Sequence, residues 1–185
     1  MIKASEENAS STLDTIYTRD GLGNLIRIQD ALGNVRNFTY NYIGNILSAE
    51  DLHAKNDNTF GQYIYAYNSF GAPTTKTYPS LVSDSYSYDS LGRLIADTSD
   101  STVGYTYDTC QYGIGKVCNI TRDSGSTSYT YNRRGQVYSE TSTIDAGSYL
   151  TKYEYDDLGR QIKVTLPDQN KIEYSYNKDD KQNKV

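Results

Sequence analysis

Tyr153-Glu-Tyr-Asp-Asp-Leu-Gly-Arg-Gln-Ile162 decides the fold, because the chain says it more than once. Tyr86-Ser-Tyr-Asp-Ser-Leu-Gly-Arg-Leu-Ile95 is nearly the same stretch. Looser copies are Phe38-Thr-Tyr-Asn-Tyr-Ile-Gly-Asn-Ile-Leu47, Tyr65-Ala-Tyr-Asn-Ser-Phe-Gly71 and Tyr129-Thr-Tyr-Asn-Arg-Arg-Gly135. A unit recurring at a fixed short period is the signature of a repeat architecture. The fold class that follows is all-β: antiparallel hairpins repeated along a curved sheet, the open portion of a shell.

The motif slots have physical reasons. Asp or Asn three positions before the glycine suits the first position of a type I turn, where its side chain accepts a backbone N–H. These caps are Asn41, Asn68, Asp89, Asn132 and Asp156, with Asp108 heading a longer loop. The glycines then take the left-handed conformation that closes a three-residue hairpin loop with a bulge. They are Gly23, Gly33, Gly44, Gly71, Gly92, Gly115, Gly135 and Gly159. The residue before each is apolar except at Arg134, the one after is polar except at Ala72, and the next is mostly aliphatic. Alternation out of the turn is the period of a half-buried strand. Leu158 reads as a wall residue and Arg160 as solvent-facing. Asp180 falls in the glycine slot of a degenerate last copy and predicts a fraying turn there.

Before each turn comes Tyr-x-Tyr, with both rings on one strand face. The members are Phe38 and Tyr40, Tyr63, Tyr65 and Tyr67, Tyr86 and Tyr88, Tyr105 and Tyr107, Tyr129 and Tyr131, Tyr153 and Tyr155, and Tyr174 and Tyr176. The expectation is of ring columns running across the repeats, hydroxyls left wet. An aromatic ladder for a bound sugar is the rival reading.

In domain terms, residues 1–15 read as a flexible lead-in, or a first strand missing its neighbours. Residues 16–180 read as repeats and 181–185 as a disordered tail. A hydrophilic insertion over 48–61 reads as a protruding loop with one helical turn. It carries the single histidine, His53, expected in solvent.

Composition narrows the function. The chain has 185 residues, 12% of them aromatic, including 20 tyrosines and no tryptophan. Low mean hydropathy reflects tyrosine rather than disorder, since disordered chains are poor in aromatics. Net charge is −5 and the basic residues are scattered, which argues against a nucleic-acid partner. No apolar run reaches the length of a membrane span, and the N-terminus lacks a signal-peptide pattern. Cys110 and Cys118 flank one turn. They form a cross-hairpin disulfide, which would place the chain in an oxidising compartment, or they pack as free thiols.

Enzyme chemistry finds no constellation here. The carboxylates Asp89, Asp108, Asp156 and Asp157 fill turn slots, Gly113-Ile-Gly lacks a phosphate-loop pattern, and no turn has the ligand density of a calcium loop. No cofactor or metal is expected.

Tyr-x-Tyr-[Asp/Asn]-x-x-Gly-[Arg/Asn/Lys]-[Leu/Ile/Val] resembles the YD repeat, also called the RHS repeat, over about residues 16–180. The resemblance implies a β-strip spiralling into a hollow shell. Such shells occur in bacterial RHS and polymorphic toxins, Tc toxin B/C components, wall-associated proteins and teneurins. It implies as partners the remaining repeats of a larger secreted or surface chain and an enclosed effector. The copies here are too few to close a shell, and the Asp-Pro-x-Gly-rich closing segment is not found. Encapsulation and self-cleavage are therefore not carried over. The expected function is a non-catalytic wall segment. The alternative is an adhesive or carbohydrate-binding module of the choline-binding kind, which leans on tryptophan. An isolated strip with bare edges is expected to self-associate.

Overall fold

The computed structural model describes residues 2–8, 11–177 and 182–183, with side chains from 14 to 177. The described residues are strands and turns without a helix. They form two units, residues 1–92 and 93–185.

The first unit is a meander of β1 (Ile2–Asn8), β2 (Ser11–Arg19), β3 (Leu25–Gln29), β4 (Val35–Tyr40), β5 (Ile46–Glu50), β6 (Gln62–Tyr67), β7 (Pro73–Thr77) and β8 (Ser83–Tyr88). Each strand pairs antiparallel with the next. The second unit repeats the pattern with β9 (Leu94–Asp97), β10 (Val103–Tyr107), β11 (Val117–Arg122), β12 (Gly125–Tyr131), β13 (Val137–Ile144), β14 (Gly147–Tyr155), β15 (Gln161–Thr165) and β16 (Lys171–Glu173). A small pair, β17 (Ser175–Tyr176) with β18 (Gln182–Asn183), follows.

Each unit is one sheet thick, so few side chains are fully covered. Val35 and Ala49 in the first unit, and Cys118, Tyr131 and Val164 in the second, make up the buried apolar set. Strand alternation sorts the rest. Register places Tyr129 opposite Glu140, Tyr105 opposite Ile120 and Tyr153 opposite Val164 on one face. The opposite face of the second unit carries hydroxyl pairs such as Thr130–Ser139 (2.6 Å), and Thr39 pairs with Ser48 (2.7 Å) in the first unit.

Several expectations are corrected. The described residues of the expected lead-in lie in strands: β1 pairs with β2 from Ile2–Tyr17 to Asn8–Ser11. At the other end, Gln182 and Asn183 lie in a strand, while the turn expected at Asp180 and the rest of the tail expected over 181–185 fall outside the described residues. The turn at Asp30–Asn34 is a return turn: Gly33 (φ 85°) closes β3–β4 at the opposite edge.

The insertion has no helical turn and is pinned back to the sheet at His53. Its first residues complete β5, and its neck closes where the Asp51 amide donates to the Gly61 carbonyl (2.8 Å). Val35 and His53 exchange both backbone hydrogen bonds (2.7 and 2.9 Å). The His53 side chain is only 7% exposed, because it stacks on Phe60 (centroids 3.9 Å) and its Nε2 lies 3.1 Å from Glu50 Oε2. Glu50 also accepts from the Asn37 backbone and side-chain amides.

Candidate functional site

The feature that recurs in every copy is the junction of one hairpin with the next. It begins at the turn. In the simplest copy, the Asp20 carboxylate accepts the amides of Leu22 and Asn24, and the Gly23 amide donates to the Asp20 carbonyl. Asn41, Asn68, Asn132 and Asp156 do the same for residues two and four further on. Asp89 accepts the Leu91 amide. The longer loop after Asp108 closes with the Gly115 amide on its carboxylate. Gly23, Gly44, Gly71, Gly92, Gly115, Gly135 and Gly159 all have φ between 76° and 91°, a region costly for any residue with a Cβ. A register shift follows Thr18, Thr39, Ala66, Thr106, Thr130 and Glu154, the bulge expected of this loop.

The second tyrosine of each pair then joins the hairpins. Tyr40 donates its hydroxyl to the Leu25 carbonyl, Tyr67 to Ile46, Tyr88 to Pro73, Tyr107 to Leu94, Tyr131 to Val117, Tyr155 to Val137 and Tyr176 to Gln161, at 2.6–2.9 Å. The acceptor is always the residue two past the preceding glycine. The reason is in the ladder. Between hairpins, pairing starts later, at Arg27–Asn37 or Ser139–Lys152 for example. The first carbonyl of the outgoing strand therefore has no strand partner there, and the phenol supplies a donor.

This corrects the view that the hydroxyls stay wet. Ring-on-ring columns also give way at these positions. Successive second tyrosines sit two strands apart, about 9–10 Å, beyond the separation at which rings interact. Cations fill the space instead: Arg93 lies over Tyr107 (4.3 Å), Lys116 over Tyr131 (5.1 Å) and Arg160 over Tyr176 (4.6 Å). Arg160 is thus not solvent-facing; its Nε donates to Asp156 Oδ2 at 2.7 Å.

The slot after the glycine is the one that sequence reasoning missed. Arg93 also makes a two-pronged pair with the next cap, Asp108 (2.7 and 3.1 Å). Gln136 reaches the Gly159 carbonyl of the next turn (2.7 Å). The available signal was a recurrent Arg, Lys, Gln or Asn immediately after the turn glycine.

Two of the first tyrosines, Tyr86 and Tyr153, hydrogen-bond acidic groups. Tyr78 and Tyr86 donate to the buried Asp84 (2.8 and 3.4 Å), and Tyr153 to Glu140 (3.5 Å). Burial pushes the phenols of Tyr129 and Tyr153 up. Tyr63 meets Tyr78 edge to face, Tyr65 lies opposite Lys76, and Tyr105 and Tyr174 are half-buried. Cys110 and Cys118 form a disulfide (Cα–Cα 5.4 Å).

Apolar residues before the glycines are not in the wall. They stand at the turn tips, from 56% exposed at Ile43 to 88% at Ile114, and Leu158 is 74% exposed. Their amides, not their side chains, serve the turn. A groove of about 470 Å³ lies around residues 132–138 and 153–157. Arg134 crosses to the Asp156 and Asp157 carbonyls from that segment.

The caps make stability acid-sensitive. Hydrogen bonds from Asn24 and Asn34 hold Asp20 and Asp30 below the ordinary carboxylate value, and Arg93 does so for Asp108. At Asp156 burial pushes upward, but hydrogen bonds from Arg160 outweigh it and the net shift is down. A depressed folded pKa gives stability that is complete above the unfolded value, about 4, and lost as pH falls through the folded value. His53 has the opposite sign: Glu50 raises it, so its contribution is complete below about 6.5 and fades as pH rises through the raised value. Urea midpoints measured against pH should fall steeply below about pH 4. Asp156→Asn should flatten that limb without abolishing folding, as Asn already serves at 41, 68 and 132. A midpoint indifferent to acid would refute the cap assignment.

No protein-family model matches the chain. Curated relatives do. It is 24% identical over 171 residues to the double-stranded DNA deaminase toxin A of Burkholderia cenocepacia, covering 80% of this chain and 11% of that protein. It is 28% identical over 183 residues to the tRNA3(Ser)-specific nuclease WapA of Bacillus spizizenii, covering 83% of this chain and 8% of that one. Among solved structures, a TcdB2-TccC3-Cdc42 crystal structure aligns at TM-score 0.63 and 20% identity, over 92% of this chain and 10% of its own. A Photorhabdus luminescens Tc holotoxin pore structure aligns at 0.61 and 22%, over 90% and 10%. The chain thus spans about a tenth of the length of these proteins. The motif recurs in each unit, the fold matches that of the Tc toxin structures, and the curated relatives are a deaminase toxin and a nuclease, all consistent with a segment of RHS/YD repeats.

Proposed function

We propose that this chain is a stretch of wall in a large secreted toxin, with no catalytic role of its own, and that the wall encloses an effector. The observation that carries the reading is the use to which the motif's polar groups are put. Cap carboxylates hold turns, and clasp hydroxyls hold the next hairpin. The groups that a sequence search singles out as chemistry are thus occupied with building repeats. The relatives support a toxin context. The deaminase and nuclease activities in their names belong to proteins some ten times longer.

Two measurements test the two halves. The isolated chain, incubated with double-stranded DNA and with tRNA, is expected to show no turnover, and turnover would overturn the non-catalytic half. In the full-length parent, limited proteolysis should leave the effector intact. Tyr131→Ala together with Tyr155→Ala should open it to cleavage. An effector equally cleavable in both proteins would overturn enclosure.

A further inference from the structure

Residues 51–61 leave the strand rhythm and are tied back to it at two points. At the neck, the Asp51 amide donates to the Gly61 carbonyl (2.8 Å), and a Cβ on Gly61 would come within 2.8 Å of the Pro79 ring. The second point is His53. Its backbone exchanges both hydrogen bonds with Val35, and its ring lies flat on Phe60 (centroids 3.9 Å, planes 10° apart). Nδ1 sits 2.9 Å from the Ala54 carbonyl oxygen and Nε2 3.1 Å from Glu50 Oε2. A carbonyl only accepts. Burial of Glu50 works against its charge, but hydrogen bonds from His53 and Asn37 outweigh it, so its carboxylate accepts as well. Both ring nitrogens therefore need a proton, and only the imidazolium carries two. The Phe60 face favours the same charged form. A neutral ring would satisfy one acceptor and turn a lone pair on the other, in a side chain only 7% exposed.

We propose that residues 51–61 are a pH-operated flap, latched to the sheet by the His53 imidazolium and released when the ring loses its proton. The surrounding charges set the direction. Glu50 ends β5, and Asp57, inside the flap, adds a second negative charge toward the ring. Arg36 on β4 lies over Phe38, on the face away from Asn37 and Glu50. Asp51 and Lys55, within the flap, are exposed. The hydrogen bond to Glu50 raises His53 above its ordinary value, although burial pulls the other way. The latch is thus complete below about pH 6.5 and lost as pH rises through the raised value. Release reaches the flap's inner turn too, because the Ala54 carbonyl that faces Nδ1 also accepts the Asp57 amide (2.9 Å). His53 is the single histidine, so no other side chain has its ordinary pKa in this range. The β6–β7 ladder, from Ile64–Thr77 to Tyr67–Pro73, has no share in the switch.

Hydrogen exchange of the full chain, followed residue by residue by NMR and corrected for the intrinsic effect of pH, tests the latch. From about pH 5.5 to about pH 8.5, protection of the Val35, Asp51 and His53 amides should fall several-fold. The midpoint should coincide with the titration of the His53 ring, and β6–β7 amides should keep their protection. Glu50→Gln should move the ring titration and the loss of protection together to lower pH, a displacement that a merely structural contact would not produce. His53→Phe keeps a ring against Phe60 but has no proton to lose, so its flap should exchange fast at every pH. Three results would overturn the latch: protection that ignores pH, a pH-dependent loss that survives in His53→Phe, or a Glu50→Gln midpoint where the wild type has it. A loss shared equally by the β6–β7 amides would also overturn it, since that marks unfolding of the unit rather than of the flap. The wall reading is untouched by any of these outcomes.

Discussion

Tyr131→Ala is expected to destabilise the second unit by about 3–5 kcal/mol, and Tyr131→Phe by only about 1 kcal/mol. The gap between them separates two roles of one side chain. Tyr131 is the most buried of the motif tyrosines, 9% exposed. Alanine removes the ring, leaves a cavity in a wall one sheet thick, and strips the surface on which Lys116 rests. Phenylalanine keeps the ring and loses only the 2.6 Å bond to the Val117 carbonyl. That carbonyl lies where β11 and β12 have not yet paired, since their ladder starts at Asn119–Ser128. Water reaches it in the Phe variant, so the cost stays small. Repeat proteins couple mainly to their neighbours. Amide exchange should therefore quicken first at the β11–β12 junction, before the β15–β16 ladder responds. Urea unfolding of both variants checks the ranking. Equal losses would mean that the hydroxyl, not the ring, holds the junction.

Within a copy, the sequence was readable because each slot answers to a local rule. An Asp or Asn cap, a left-handed glycine and a bulge are decided by four or five consecutive residues, and the structure has all three at Gly44, Gly71, Gly135 and Gly159. What lies between copies was not readable, because it depends on distances across strands. Nothing local says that the Tyr155 hydroxyl ends on Val137, or that Arg93 serves Tyr107 and Asp108. Leu158 and its counterparts misled for a related reason. An apolar residue recurring in register looks like core, yet this slot is the outermost point of a turn. His53 misled in the other direction. A polar insertion suggests solvent, but Glu50 and Phe60 bring the ring down onto the sheet, and both contacts depend on where the loop returns.

Replacing Cys110 and Cys118 with serine, or reducing the native chain with dithiothreitol, should cost about 2.5 kcal/mol in chain entropy alone. The measured loss should exceed that, because the loop the bond closes also latches the next repeat. The Gln111 carbonyl accepts the Tyr131 amide (3.1 Å), Tyr112 accepts from Arg133 Nε (3.1 Å), and Lys116 covers the Tyr131 ring. Two residues of this segment, Asp108 and Tyr112, are held at positive φ (68° and 53°), a conformation that the freed loop would relax. Gly113 sits so close to both sulfurs that any side chain there would strike them, so the loop has one compact arrangement and loses it when the bond is cut. The signature is local. The Tyr131 amide, protected by Gln111, should exchange faster after reduction, while amides of the β15–β16 ladder keep their protection. Loss of protection at both places together would show that the bond supports the unit as a whole. Unchanged protection at Tyr131 would show that the loop holds its shape without the bond, leaving only the unfolded-chain entropy as the disulfide's contribution.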